Sequence, residues 1–394
     1  MSEHGGNVVE VAEFLSISPA SIFDFSANIN PLGPPERVKA IIRDNLSVIE
    51  RYPDIEYRYL HAALARGAGC ELGQVIAGNG ETELIYLLVR HLNPHSALLL
   101  TPGFAEYRRA LEQLGCDIIE HPLTEENGFQ PDESLLRDIE AHRPDCVFIA
   151  TPNNPTGLMP DTTLLHKLVS LCESRHIHLI VDEAFIDFLP EGSPLTVHLP
   201  ETRYLYLLRS LTKFFAIPGL RLGYLLCGDS HTIDNLKRWR EPWTINGLAA
   251  LVGEVLLDDE DYICKTQDFI AAQRQYLCSE LQQFPLLKIW LPTANYIFIR
   301  CLTGVELQSA LLKYKLLIRR CQNYPGLDGS YYRIAVRSQA ENRHLIGALK
   351  QVFQDGWGML SCILWRDIAG LDPWEWKTGI LPYQLVQLCI CRRR

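Results

Sequence analysis

No apolar run in the 394-residue chain approaches the ~18 residues a membrane helix needs, so no spanning segment is expected. Met1–Val11 carries Glu3 and Glu10 but neither a basic cluster nor an apolar stretch, so no secretory leader is expected either. A soluble, cytoplasmic protein is the expectation. Basic residues are in the minority, 37 against 47 acidic ones, and the net charge of −10 argues against a nucleic-acid binder, which needs a basic face. The twelve cysteines include no C-x-x-C pair, the spacing on which zinc and cluster sites usually draw. Several, such as Cys146 and Cys227, sit in apolar runs where a thiol acts as a small hydrophobe. No metal site is assigned; Cys362, Cys389 and Cys391, without a nearby histidine, leave only a weak metal alternative in the tail. Internal repeats and low-complexity linkers are absent as well.

What is there is an alternation of short apolar runs with helical patterns. Gln74–Ala77, Ala97–Leu100, Cys116–Ile119, Val147–Ala150, His178–Val181, Tyr204–Leu208 and Leu222–Leu226 read as buried strands. Amphipathic stretches such as Leu164–Arg175 lie between them. The alternation predicts an α/β fold with a largely parallel sheet and a site at the strand C-terminal ends. From about residue 245 the pattern changes: helices at Gly247–Asp258 and Gln267–Gln283 accompany strands at Asn295–Arg300, Leu316–Arg319 and Tyr332–Arg337, a smaller α+β domain. The expected divisions are an arm over 1–30, a large domain over 31–245, a small domain over 246–353 and a tail over 354–394. The tail holds four of the seven tryptophans and the apolar, strand-prone stretches Cys362–Trp365 and Leu385–Cys391; packing against the body or a partner is expected of it.

Four strand-end clusters carry chemistry. In Arg209–Tyr224, Lys213 lies among apolar neighbours, which favours the neutral amine a Schiff-base lysine needs. Ser210 and Arg221 flank it and suit a phosphate monoester. Alone, S-x-x-K also fits serine acyl transfer, and a lone loop lysine is usually a solvated charge. Asp182 directly follows the run Ile177–Val181; it could support a protonated pyridine nitrogen or be a solvated loop acid. Asn154, in a turn shaped by Pro152, Pro155 and Gly157, offers an amide to a phenolate oxygen. In Ala77–Glu83 a strand runs through glycines into a helix, whose first N–H groups suit a phosphate.

With these four motifs in this order, the chain resembles the fold-type I pyridoxal-5′-phosphate enzymes, in the branch that contains histidinol-phosphate aminotransferase. The resemblance covers about residues 4–353. It implies a large domain with a mostly parallel seven-stranded sheet between helices, and pyridoxal 5′-phosphate as cofactor. It further implies Lys213 as the lysine that carries the cofactor, Asp182 as the partner of its ring nitrogen and Asn154 as the ligand of its phenolate oxygen. Gly80, Glu81, Thr82, Ser210 and Arg221 resemble the phosphate cup, and Phe104 the aromatic that stacks on the ring. Tyr52 resembles the tyrosine that reaches the phosphate from a second subunit, which implies a homodimer. Arg333 resembles the arginine that binds a substrate carboxylate.

A narrower resemblance rests on HGGN, DFSANINPLG, RYPD, GNGETE, TPGFAEY, DEAFIDF, RSLTKFFAIPGLRLGY and NYPGLD. Together these are similar to the L-threonine-O-3-phosphate decarboxylases of cobalamin biosynthesis. That resemblance implies that His4, Gly5, Asn28, Asn154, Arg319, Arg333 and Arg337 bind the substrate's phosphate and carboxylate. Arg337 stands where many aminotransferases carry a small residue, and Phe185 lacks the hydroxyl of the tyrosine common in histidinol-phosphate aminotransferases. Both differences favour a decarboxylase that releases aminopropanol phosphate and CO2. The alternatives are an aminotransferase acting on histidinol phosphate or a related phosphorylated amine and, from another class, a non-catalytic sensor or scaffold. A nicotinamide enzyme fits worse, since no G-x-G-x-x-G pattern follows the glycine turn.

Overall fold

The structure is a computed structural model that describes residues 5–368, with side chains through residue 354. Strand β1 (Phe23–Phe25) belongs to a small sheet considered below. The next seven are β2 (Val75–Asn79), β3 (Ser96–Thr101), β4 (Asp117–Pro122), β5 (Cys146–Ala150), β6 (His178–Asp182), β7 (Leu205–Ser210) and β8 (Leu222–Cys227). They form one sheet in the order β2-β8-β7-β6-β5-β3-β4. Only β8 runs antiparallel to its neighbours. Each of the seven strands expected above is present, but β4, at the sheet edge, is largely exposed rather than buried. β5, β7 and β8 are buried along their whole length, the continuous apolar pattern of a sheet covered on both faces.

Register places the site. β5, β6 and β7 are parallel, with Ala150 opposite Asp182 and Asp182 opposite Leu208. Their C-terminal ends are therefore level, and the turns that follow bring Asn154, Asp182 and Lys213 to one edge of the sheet. The helix Glu81–Leu92 and β3 pack in the core that covers one sheet face, with Leu84, Leu88, Leu99, Phe148 and Tyr206 at its centre. Caps set the helix starts: Asp161, Asp229, Asn246 and Asp259 each accept a backbone N–H of the helix they precede. The helix Glu81–Leu92 starts instead at Gly80, without a side-chain cap.

Strands β9 (Leu287–Trp290), β10 (Tyr296–Cys301), β11 (Leu316–Arg320) and β12 (Tyr331–Ala335) complete the small sheet, ordered β1-β11-β12-β10-β9. β1 pairs in parallel with β11, so the N-terminal arm is an integral strand of this sheet. Residues 1–346 form one compact unit containing both sheets. Two details differ from expectation. The last strand ends at Ala335, not Arg337, because the chain turns into the helix Gln339–Ile368. That helix runs through residue 353, and Cys362–Trp365, expected to be strand-prone, is helical within it. Nine cysteines are free thiols, and no group of three metal-ligating side chains occurs among the described residues. Cys389 and Cys391, and the side chain of Cys362, lie outside the described residues. No helix among those described is long and apolar enough to cross a membrane.

Candidate active site

A cavity of about 200 Å³ opens where the strand ends converge, with Asp182 and Lys213 on one wall and Arg319 and Arg333 on another. Asp182 is the last residue of β6. Its Oδ1 accepts the Ala184 N–H at 2.9 Å, and its Oδ2 accepts the Tyr107 hydroxyl. Tyr107 is held by stacking on Phe148, with ring centroids 5.0 Å apart. Lys213 lies in the short helix Leu211–Phe214 after β7. Its Nζ donates to Ser210 Oγ at 3.0 Å, is 3.8 Å from Glu81 Oε2 and lies 5.8 Å from the centre of the Phe185 ring. The backbone of that helix is clamped by Asn30, whose N–H donates to the Lys213 carbonyl at 3.0 Å and whose Nδ2 donates to the Phe214 carbonyl at 2.8 Å.

The glycines around the helix start are required by geometry. Gly80 has φ +78°, and a Cβ there would lie 2.6 Å from Arg221 Nη2. A Cβ on Gly223 of β8 would lie 2.6 Å from the Glu81 nitrogen. Backbone N–H groups at the start of Glu81–Leu92, the Arg221 guanidinium over Gly80 and the buried Ser210 hydroxyl make a donor set that fits a phosphate monoester. Asp182 across the cavity fits a ring nitrogen, and Phe104, also on the wall, fits an aromatic face. Glu81 is buried here; burial first, and the charge of Asp182 second, push its carboxyl well above the usual carboxylate range.

On the opposite wall, register sets Arg319 of β11 directly across from Arg333 of β12. Like charges in that position destabilise a sheet unless something neutralises them. Both are buried. Arg333 donates to Asn154 Oδ1 at 2.6 Å and to the Ser26 carbonyl at 2.9 Å, both neutral acceptors. Asn28, in the amide orientation that satisfies both groups, accepts from Arg333 at 3.3 Å. Arg319 donates to Asn323 at 2.8 Å and lies over the Tyr324 ring; burial lowers its pKa from the usual guanidinium value. Tyr324 in turn donates to Asn154 Oδ1 at 3.2 Å. Gly5 closes this side; a Cβ there would lie 2.3 Å from the Ser26 carbonyl oxygen.

Not every residue singled out from sequence is in the cavity. Arg337 is not on its wall: its guanidinium turns to Glu341 at 2.8 Å, four residues on at the start of the last helix. Tyr52 is 78% exposed and packs on Trp243, with ring centroids 4.7 Å apart. Thr82 lines a separate hollow with Arg90 and Arg240. His4 lies outside the described residues. Conversely, sequence reasoning passed over Tyr107, Ser26 and Tyr324 as site residues. All three stand inside quoted motifs, but only the packing shows where their oxygens go.

The chain belongs to the aminotransferase class I and II family, whose model matches residues 20–349. Within that family it is 48% identical over 354 residues to the threonine-phosphate decarboxylase of Salmonella typhimurium, covering 89% of this chain and 96% of that protein. It is 34% identical to an adenosylcobalamin biosynthesis bifunctional protein of Leptospira interrogans, covering 90% of this chain and 41% of that protein. Among solved structures, the histidinol-phosphate aminotransferase of Clostridium acetobutylicum matches with a TM-score of 0.78 and 29% identity, over 84% of this chain and 99% of that one.

Proposed function

We propose that the chain is a pyridoxal-phosphate-dependent carboxy-lyase. It converts L-threonine O-3-phosphate to (R)-1-aminopropan-2-yl phosphate and CO2, a step toward the nucleotide loop of cobalamin. The 48% identity to the Salmonella decarboxylase, over nearly the whole of both chains, carries the reading. The buried Arg319–Arg333 pair supports it, because two guanidiniums facing each other across the sheet suit a small substrate bearing two anions.

Lys213, Asp182, Asn154, Ser210, Arg221 and the backbone from Gly80 to Thr82 would hold the cofactor. When bound, pyridoxal phosphate supplies an electron sink conjugated to the substrate's amine. Lys213 would hold the cofactor and, with the substrate's amine in place, would hold a proton near the reacting carbon. Asp182, kept in place by Tyr107 and the Ala184 N–H, holds a proton on the ring nitrogen. Arg333 and Arg319 orient the substrate by its carboxylate and phosphate, and Asn28 and the Gly5 arm close the wall and limit water. Which bond at the substrate's central carbon breaks is set by that orientation, so the arginine wall is where decarboxylation and transamination part.

The homodimer is part of the proposal. Leu46, Ile49, Tyr52, Tyr59 and Trp243 are all exposed apolar side chains around the segment that would carry Tyr52 to a neighbouring site. A reducing, cytoplasmic setting suits the nine free thiols. The test is to incubate the holoenzyme with O-phosphothreonine and measure CO2 and aminopropanol phosphate. No CO2, together with amino transfer from histidinol phosphate to 2-oxoglutarate, would instead establish the aminotransferase.

A further inference from the structure

Glu81 is a carboxyl group that the fold has not finished satisfying. Its Oε2 lies 3.8 Å from Lys213 Nζ, beyond hydrogen-bond length, and its Oε1 is buried with no partner. Gly223 lets the Glu81 backbone lie flat on β8, so the side chain enters the cavity beside Lys213. The groups facing it are Asp182 from β6, Lys213 from the helix after β7, Arg221 from the turn before β8 and Tyr107 from the helix Ala105–Glu112. Two adjacent buried carboxyls do not both ionise readily. Asp182 already accepts two hydrogen bonds, from Tyr107 and the Ala184 N–H, and the Glu81 carboxyl hydrogen-bonds to it, which favours the proton on Glu81.

We propose that Glu81 stands protonated beside Lys213 and supplies, through that lysine, the proton that replaces the departing carboxylate. The inference rests on the decarboxylase reading. In the step, the bond between the central carbon and the carboxylate breaks, CO2 leaves and the electron pair stays behind. Lys213, as ammonium, gives a proton to that carbon and forms the C–H bond. As that bond forms, Glu81 passes its own proton to the Lys213 amine. Its carboxylate takes one back from water when the product leaves. Glu81 touches neither the reacting carbon nor the substrate; it is a positioning residue for the proton on Lys213.

The experiment compares wild type, E81Q and E81D as full-length holoenzymes. The infrared carbonyl band of a buried, protonated carboxylic acid, measured without substrate, is expected in wild type and absent in E81Q. In single turnovers wild type is expected to form both products together, whereas E81Q is expected to form aminopropanol phosphate about 10²-fold more slowly than it releases CO2, the usual scale of general-acid assistance. E81D, which keeps the acid on a shorter stem, is expected to recover part of that rate. A wild type lacking the acid band, or an E81Q that forms product at the wild-type rate with an unchanged pH profile, overturns the proposal. If wild type releases no CO2 from O-phosphothreonine, the decarboxylase reading fails separately. The band alone then decides where the proton resides.

Discussion

Acidification should weaken the strand that leads into the phosphate cup, and His61 is the reason. Its ring lies in the helix Arg58–Ala68 and is 3% exposed. Nδ1 faces the Glu56 carbonyl at 2.9 Å and must carry the hydrogen. Nε2 faces the Ala77 N–H at 3.0 Å and must be bare. A second proton therefore meets a donor, and Ala77 of β2, three residues before Gly80, loses its acceptor. Burial, then the charges of Arg240 and Lys237, lower the pKa from 6.5 to about 4.

The folded value lies below the unfolded one, so the unfolded chain binds more protons and stability rises with pH. The contribution is complete above about 6.5 and is lost as pH falls toward about 4. The full span corresponds to about 3.4 kcal/mol at 1.36 kcal/mol per unit, of which about 2 kcal/mol is gone at about pH 5. Denaturant unfolding of wild type and His61→Gln, at one fixed protein concentration and several pH values, isolates this term from the carboxylates common to both. The stability gap between the two proteins should shrink by about 2 kcal/mol between about pH 7 and pH 5. A gap that does not change with pH would refute the assignment of a neutral, singly protonated His61.

Arg333→Lys should raise the substrate KM about 10- to 100-fold, because an ammonium cannot keep Asn154 and Ser26 and still present a fork. Cofactor absorbance should be retained, and an unchanged KM would remove Arg333 from the substrate wall. In Gly80→Ala the new Cβ would meet Arg221 Nη2 at 2.6 Å with φ at +78°. Strain of about 1–3 kcal/mol at that cup should weaken cofactor binding roughly 10-fold or more by titration, with the far-ultraviolet spectrum preserved. Lys213→Ala should remove both turnover and the visible band of the bound cofactor while the chain stays folded; residual turnover at the wild-type rate would displace Lys213 from the reaction.

Most strands of the large sheet were legible because they are buried on both faces and so read as continuous apolar runs, as in Cys146–Ala150 and Leu222–Cys227; the edge strand β4 is largely exposed. β1 and β9 were not. They span three and four residues, with exposed positions among the buried ones, and are strands because β11 and β10 supply their hydrogen bonds. Arg337 shows the same limit in the site: the resemblance implied that it binds substrate together with Arg333. The chain enters a helix at Gln339, however, and Glu341 lies within reach of its guanidinium. Tyr107 sits three residues after Phe104 in a quoted motif, yet its hydroxyl serves Asp182, 75 residues away.

From sequence alone come the layered α/β class, the strand-end position of Asn154, Asp182 and Lys213, and the glycine at 80. Local rules govern these: a run buried on both faces must be apolar, and a left-handed or crowded backbone position needs glycine. Tertiary structure alone decided which side chains face one another. Strand register set Arg319 against Arg333, parallel strand ends set Asp182 beside the lysine, and the approach of β8 to the helix start put the Glu81 carboxyl beside both. Contacts between residues on different strands and helices depend on register and packing, which no local pattern encodes.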